Sequence, residues 1–495
     1  MEEAPRPAGG LFFDEPAPPP DAPGPKTRKK PVESGFRREE PAIAPRTPTP
    51  RRFYYGWVIL ALSTLCIFLA AGTRSLYAVF YVAQVQEFGW SRGGGSAAYA
   101  VNLIFLIVGT PLLGALLDRW GPRWLFGGSL LMTAAGLALS IWVRTPWHLA
   151  LTFGVVAAVG FTANATPLHG SVLARWFARN RGFAVGLASA GLGAAQAILS
   201  PLVQLAISLW GWRAAYLILA AAISLLAPLV MLLFHPSPAS VGQKLDGLAS
   251  FPSRVISARR RPRRRVRVMK IMDPQWAAAD WTLSRAVRTR AFWGVMGVSL
   301  FQSYTLHVVG VHAVALLVDS GFSASTSANL YGAMGFGMTA GLFLWGSISD
   351  RMGRETAYAL GTLFCLAGVA GLGLLHPRME WGIPWLVSLV LGLGIGSRPT
   401  LFSLIAVDIF QGREAGRILG LAAAGVGIGG SLGSVSAGLI HDWTGSYAGA
   451  LWTCGVTLVL SAACALVAAP SRVRRPILRP PEDSRGRFIS PELNP

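Results

Sequence analysis

Two arginines stand inside stretches that are otherwise apolar. Arg74 occurs in Gly72-Thr73-Arg74-Ser75-Leu76-Tyr77, and Arg398 in Gly394-Ile395-Gly396-Ser397-Arg398-Pro399. A guanidinium keeps its charge and can hold a carboxylate through two parallel hydrogen bonds. Both therefore suit an organic anion. Tyr77 and Tyr81 follow Arg74 at helical spacing, as cavity walls or as core packing. Asn164 and His169 place polar groups in a third apolar stretch, and Gln302, Tyr304, His307 and His312 do so in a fourth. An imidazole titrates near neutral pH, so His307 is a candidate proton carrier. The bland alternative for it is a hydrogen bond between helices. Asp408 and Asp319 are acidic candidates near stretch ends, where water is close. Arg74 and Arg398 have their own bland alternative, an ion pair with a buried acid or a reach to an interface.

The elements that must position these groups are membrane helices. The 495-residue chain is 52% hydrophobic and 14% charged, with mean hydropathy +0.47. A soluble protein of this size carries about 25% charged residues. Apolar runs of about 20 residues recur, each long enough to cross a hydrocarbon core of ~30 Å. Backbone groups in lipid must be satisfied within the segment, so the runs are predicted helices. Six are expected at 55–86, 95–117, 122–143, 147–174, 182–208 and 213–234, and six more at 290–318, 326–349, 355–376, 383–409, 414–440 and 446–469. Residues 1–52 and 470–495 read as disordered tails, and 235–289 as a basic linker. Within that linker, Asp280 to Arg285 reads as a short amphipathic helix at the membrane surface. The chain opens on Pro-rich polar sequence rather than a signal-peptide pattern.

The net charge of +21 sits in tails and loops. One set of loops carries Arg119, Arg123, Arg175, Arg179, Arg181, Arg351, Arg354, Arg413, Arg417 and the cluster Arg259-Arg260-Arg261-Pro262-Arg263-Arg264-Arg265. The opposite set carries Arg92, Arg144, Arg213 and Arg378. The richer set is expected to be cytoplasmic, with both termini on that side. The cluster reads as a topology signal, or as a contact for anionic lipid. Nucleic acid is excluded, because no aromatic platform or folded domain accompanies it. Cys66, Cys365, Cys454 and Cys464 all fall in apolar runs, against a disulfide framework.

The chain repeats itself. Gly114 to Arg123 (Gly-Ala-Leu-Leu-Asp-Arg-Trp-Gly-Pro-Arg) matches Gly346 to Arg354 (Gly-Ser-Ile-Ser-Asp-Arg-Met-Gly-Arg), and Gly182 to Gly193 matches Gly416 to Gly427 at nearly the same offset. Two parallel six-helix repeats place a substrate site near the midplane between halves, which rock around it. By the same offset His307 falls near the partner position of Arg74, and Thr166-Pro167 mirrors Arg398-Pro399. Glycines in the fifth and eleventh spans allow close helix approach. Asp118, Arg119 and Arg123 in one turn, with Asp350, Arg351 and Arg354 in the other, are expected to latch the outward-facing state.

The segment Gly114 to Arg123 resembles the signature loop of the major facilitator superfamily. Tyr55-Gly56-Trp57, the run Arg175-Trp176-Phe177-Ala178-Arg179-Asn180-Arg181-Gly182, and the block Gly412 to Tyr447 resemble the monocarboxylate transporter family, the last its bacterial members. The resemblance covers residues 53–469. It implies an all-α integral membrane protein with twelve transmembrane helices and a multi-pass place in a bacterial inner membrane. It implies transport of a short monocarboxylate, often with a proton. The family's span-one lysine corresponds to Arg74. Animal members carry an Asp and an Arg in span eight, whereas Tyr331 to Ser349 here holds no charge. The related oxalate/formate exchanger branch also uses basic residues in its second half. Symport, exchange and uniport therefore all stay open.

Soluble-enzyme patterns fail on context. Gly425-x-Gly427-x-x-Gly430 lacks a preceding strand, Gly89-Trp90-Ser91-Arg92-Gly93 lacks a strand-turn-helix setting, and Asn164-Ala165-Thr166 is buried in a predicted span. No phosphate-binding loop is present, so gradients rather than ATP are expected to drive the process. The reading is a non-enzymatic secondary transporter of a small organic anion, with Arg74, Arg398, Tyr77, Asn164 and His307 at the substrate and His307 or Asp408 carrying a proton. A monomer without metal or cofactor is expected. An exporter of amphipathic compounds on the same fold and a carboxylate-binding membrane sensor are the alternatives.

Overall fold

The structure, a computed structural model, describes residues 53–178, 180–245, 267–412 and 414–478, with no side chains for 267–269 and 475–478. The two tails at 1–52 and 479–495, the Arg259–Arg265 cluster, Arg179 and Arg413 lie outside the described residues.

Nine helices among the described residues are long and apolar enough to cross a membrane. Two of them, Arg92–Trp142 and Arg181–Leu233, run for 51 and 53 residues. Each breaks at a glycine with a positive φ, Gly121 at 77° and Gly211 at 79°, and folds back on itself. Proline follows the first break, at Pro122, where its missing N–H costs a new helix nothing. The 29-residue helix Ala324–Met352 is long enough but less apolar. Counted limb by limb, the spans are 1 (Gly56–Phe88), 2 (92–120), 3 (122–142), 4 (Pro146–Trp176), 5 (181–210), 6 (212–233), 7 (Arg290–Asp319), 8 (Ala324–Met352), 9 (Arg354–Leu374), 10 (Gly382–Ile409), 11 (Ala415–Thr444) and 12 (Ala448–Ala468). Exposed tryptophans ring both ends of these spans. Trp57, Trp120, Trp124 and Trp293 lie at the end that holds Asp118 and Asp350, hereafter the motif end. Trp142, Trp147, Trp210, Trp381, Trp443 and Trp452 lie at the other, the Arg92 end. Such belts mark membrane–water interfaces.

Two of the three sequence motifs that carried the finer resemblance touch each other. The Tyr54 hydroxyl donates to the Trp176 carbonyl. The Tyr55 ring lies 6.0 Å from Trp176, and its hydroxyl donates to the Leu233 carbonyl at 2.8 Å. These contacts staple the start of span 1 to spans 4 and 6 at the motif end. Trp176 completes them by donating from Nε1 to the His235 carbonyl at 3.2 Å.

The halves meet along spans 2 and 11 and along spans 5 and 8 through glycines. A Cβ on Gly193 would come within 2.2 Å of Thr339 Oγ1, and one on Gly427 within 2.2 Å of Ile107 Cγ1. Small residues at such crossings let backbones pack closely, and packing is what holds helices together in lipid. The pattern Gly425-x-Gly427-x-x-Gly430 is thus a helix-crossing surface, as its context required.

One expectation gains detail and one needs correction. The segment 280–285 is helical only from Leu283, in a single turn that runs to Ala286. It docks on the second half, with Trp281 buried, Leu283 N–H donating to Glu414 Oε2 at 2.7 Å and Trp276 Nε1 donating to the Ile409 carbonyl at 2.9 Å. The start of the C-terminal tail is also ordered. Pro470–Val473 is a helical turn, and Arg474–Leu478 pairs antiparallel with Arg267–Ile271 of the linker. Arg474 is held by Gln411 at 2.6 Å, and the Ser471 N–H by Glu355 at 2.8 Å. The dense arginines masked both strands, because alternation is the strand signal and charge interrupted it.

Candidate functional site

Span 1 departs from regular helix just before its arginine. Residues Ile67–Ala71 form a π-helical turn, and a break follows at Leu76. Such bulges re-aim side chains and recur at functional positions. Gly72 is pressed against Ala195 of span 5, where a Cβ would come within 2.2 Å of the Ala195 methyl. Between these features Arg74 turns inward. Its Nε and Nη1 are buried and have no hydrogen-bond partner, and no ion pair involves it among the described residues. Its charge acts on Tyr99 of span 2 and on His307 of span 7. A cation in a membrane interior costs ~3 kcal/mol or more unless something neutralises it.

The groups around Arg74 come from both halves. The Tyr99 ring is 5.8 Å from the His307 ring. His307 is buried, and its Nδ1 is 3.0 Å from Ser303 Oγ and 2.8 Å from the Ser303 carbonyl. A proton on Nδ1 satisfies that carbonyl and leaves Nε2 as the nitrogen free to exchange one. Tyr331 of span 8 reaches the backbone carbonyls of Ser75 at 2.9 Å and Gly310 at 3.1 Å. It thereby ties the Arg74 segment to the second half. Sequence reasoning missed Tyr331, because an uncharged tyrosine in an apolar run gives no signal. Gly430 is a further participant: a Cβ there would lie 2.6 Å from His307 Nδ1.

The other expected residues go elsewhere. Tyr77 packs its ring 5.2 Å from Tyr99, but its hydroxyl donates to the Gly95 carbonyl at 2.6 Å. That makes it core packing, the bland alternative, rather than a free cavity wall. Asn164 lies wholly within the first half, donating to Ser129 Oγ at 2.9 Å and to the Gly160 carbonyl at 3.0 Å, with His169 stacked nearby on Phe126 at 4.0 Å. It is not brought to Arg74. Arg398 is fully buried in the second half. Its guanidinium donates to Thr362 Oγ1 at 3.1 and 3.2 Å and sits 4.6 Å from the centre of the Tyr358 ring. Its Nε has no partner. Among the described residues no carboxylate is bonded to it, but it donates to span 9 and does not face Arg74 across a gap. The two groups are linked only indirectly, since Tyr358 donates to Gln302 at 3.2 Å and Gln302 precedes Ser303 in span 7.

Asp408 is not near His307. It accepts from Arg354 Nε at 2.7 Å, at the motif end. Arg354 also pairs with Asp350 at 2.7 Å and donates to Ser349 at 2.6 Å. The corresponding turn of the first half is looser. Asp118 pairs with Arg175 at 3.2 Å with both groups exposed, Arg119 is exposed, and Arg123 lies over Trp124 at 5.5 Å. Arg351 is exposed too. The pairs of Asp118 with Arg175 and of Arg354 with Asp350 and Asp408 each stay within one half.

The Arg92 end is closed across the halves. Arg92 Nη2 bonds both oxygens of Asp319 at 2.9 and 3.2 Å, and His441 Nε2 lies 3.3 Å from Asp319 Oδ2. Asp442 accepts from the backbone N–H groups of Arg92 at 2.7 Å and Gly93 at 2.8 Å. A carboxylate there completes orphan donors and meets the positive end of the helix dipole. Behind this gate, His312 bridges the Tyr447 hydroxyl at 3.2 Å and the Ser434 carbonyl at 2.8 Å. Loop-charge counting treated Arg92 and Asp319 singly. The available signal was a lone arginine at one span end facing acids at two others.

Against this geometry, the Major Facilitator Superfamily profile matches residues 63–406. Monocarboxylate transporter 11 of Homo sapiens is 25% identical over 449 residues, covering 88% of this chain and 87% of that protein. Monocarboxylate transporter 12 of Homo sapiens is 25% identical over 434 residues, covering 84% and 81%. Among solved structures, a D-xylose-proton symporter superposes with a TM-score of 0.60 at 17% identity, over 83% of this chain and 97% of that one. A bacterial homolog of the human lysosomal transporter Spinster gives 0.61 at 15% identity, over 85% and 98%.

Proposed function

The chain belongs to the Major Facilitator Superfamily and is a membrane transporter, not an enzyme; from that premise we propose that it moves a small monocarboxylate by alternating access, with Arg74 as the anchor for the carboxylate. The observation that carries this reading is the Arg74 guanidinium, held inside the membrane region between the halves with two nitrogens unpartnered. An incoming carboxylate supplies the missing acceptors through two charge-assisted hydrogen bonds. The relatedness to proteins named monocarboxylate transporters supports the substrate class.

In the proposed cycle the motif end faces the cytoplasm, as the arginine-rich loops favour, and both termini lie there. The membrane is a bacterial inner membrane. The anion reaches Arg74 from the motif end while the Arg92 gate is closed. Binding neutralises Arg74 and lets the halves close around Tyr99, His307 and Tyr331. Asp118, Arg119, Arg123, Asp350, Arg351 and Arg354 then latch the motif end, and the Arg92 gate separates. Asp408 serves that latch by holding Arg354. His307 carries the coupled proton on Nε2. Arg398 acts from behind the site, fixing Tyr358 and through it Gln302, and its positive charge adds to the attraction for an anion.

Exchange of one anion for another is a second reading, favoured by one observation: no carboxylate is bonded to Arg74 or Arg398 among the described residues. Uptake of labelled lactate, pyruvate and branched or aromatic monocarboxylates into proteoliposomes tests the proposal. Uptake accelerated by an inward proton gradient supports symport. Uptake that requires internal anion supports exchange. No uptake of any carboxylate by folded protein contradicts both.

A further inference from the structure

A cavity of about 650 Å³ opens beside the Arg92 gate, wholly within the second half. That volume suits a small ligand. Its floor holds Asp319, His441 and Tyr447, and its walls are the apolar ends of spans 7, 9 and 12, with Trp452 and Gly455 toward the lipid. No lysine or arginine lines it. Its only carboxylate, Asp319, keeps a third of its side chain exposed although Arg92 and His441 already bond it. A carboxylate has about four acceptor positions, so one is left for a donor from the cavity. Trp452, which lines it, is more than three-quarters exposed, as are Trp381 and Trp443 at the same end of the spans, which places the cavity at head-group depth.

Its one charged lining side chain, Asp319, is opposite in sign to Arg74, and the open acceptor position on it suits a donor. We propose that this cavity binds an amphiphile with an ammonium head and an apolar tail, the head on Asp319 and one chain of the tail along spans 9 and 12 toward the membrane interior. An ammonium donates and carries the complementary charge, and the Tyr447 ring beside Asp319 on the floor adds cation–π attraction. Such a ligand takes the open position on Asp319 and divides its charge between two cations, which weakens the Arg92 pair. It is therefore a modulator of the gate, separate from the transported anion. A free alkylamine and an aminophospholipid present the same head.

The test is saturable binding of tritiated dodecylamine to the purified full-length protein in detergent. Dodecanoate of equal chain length should compete at least tenfold more weakly than unlabelled dodecylamine. Gly455→Phe should remove the saturable component, because a side chain at Gly455 enters open space with no heavy atom within 4 Å of its Cβ. Asp319→Asn should erase the preference for amine over carboxylate. Competition by phosphatidylethanolamine but not phosphatidylglycerol identifies a lipid as the source, and no competition by either identifies a free amine. Equal competition by dodecanoate and dodecylamine on the native chain, or full binding by folded Gly455→Phe, overturns the proposal. The dodecanoate comparison needs no variant, so it decides even if both variants misfold.

Discussion

Asp442, at the end of span 11, caps a helix that belongs to the other half of the molecule: its two carboxylate oxygens accept from the backbone N–H groups of Arg92 and Gly93, at 2.7 and 2.8 Å. A cap within one helix is a matter of local stability. This one exists only while the halves are together at that end, so its free energy belongs to the closed gate. The neighbouring Arg92–Asp319 pair acts in the same sense.

Loss of that cap should open the gate without unfolding either half. Caps of this kind are worth about 1–2 kcal/mol, so Asp442→Ala should move the open-to-closed ratio about 5- to 30-fold. Spin labels at exposed Trp147 and Trp381, one on each half, report the distance at this end. A longer distance population in Asp442→Ala is the expected outcome, and an unchanged distribution contradicts a gating role.

Gly430 should be intolerant of even a methyl group. A Cβ there would sit 2.6 Å from His307 Nδ1 and 2.8 Å from Leu103 Cδ1, so alanine must displace the imidazole or the span 2–span 11 crossing. Transport by Gly430→Ala should fall about tenfold or more, a barrier change of about 1.4 kcal/mol. Gly420→Ala in the same span, where the new Cβ meets nothing within 4 Å, is the control and should transport normally.

His307 separates coupling from binding. His307→Gln keeps a hydrogen-bonding side chain of similar reach but carries no proton. Uptake driven by the anion's own gradient should persist, while stimulation by an inward proton gradient disappears. Stimulation that survives in His307→Gln assigns the proton elsewhere.

The two motif turns should respond differently to loss of an acid. Asp118→Asn removes one exposed partner and should leave thermal stability nearly unchanged while slowing transport, since exposed pairs contribute about 0–1 kcal/mol. Asp408→Asn leaves the buried Arg354 with Asp350 and Ser349 alone. Removing one member of a buried pair costs about 3 kcal/mol, so a lowered melting temperature is expected. Equal stability of the two variants contradicts the asymmetry between the halves.

The architecture was legible because lipid leaves the backbone few options. Apolar runs had to be helices, and the shared offset of the Gly114 and Gly346 motifs exposed the repeat. Even the fold-backs at Gly121 and Gly211 fell where spans 3 and 6 were expected to begin. The site was legible only as far as charge reveals it. His307 lies beside Tyr99, with 5.8 Å between the rings, and Tyr331 ties the Arg74 segment to the second half. Arg398 and Asn164 did not join them, because a span's rotation about its own axis, which decides whether a side chain faces the cavity or its own bundle, leaves little trace in runs that are apolar on every face. Asp408 went to Arg354, a partner supplied by a different span, and such pairings across sequence distance cannot be read from spacing. The gate residues were overlooked because Arg92, Asp319 and Asp442 each look like loop charge until three spans converge.

The claim on which the account rests is that Arg74 binds the substrate carboxylate. Initial uptake rates of labelled lactate or pyruvate across a concentration series, for the native protein, Arg74→Lys and Arg74→Ala in proteoliposomes, address it most directly. Hydrogen bonds to charged groups are worth about 1.5–3 kcal/mol each. Arg74→Lys, which keeps the charge and loses the fork, should therefore raise KM about 10- to 100-fold, and Arg74→Ala should abolish measurable saturable uptake. Native KM and rate in folded Arg74→Ala would contradict the account.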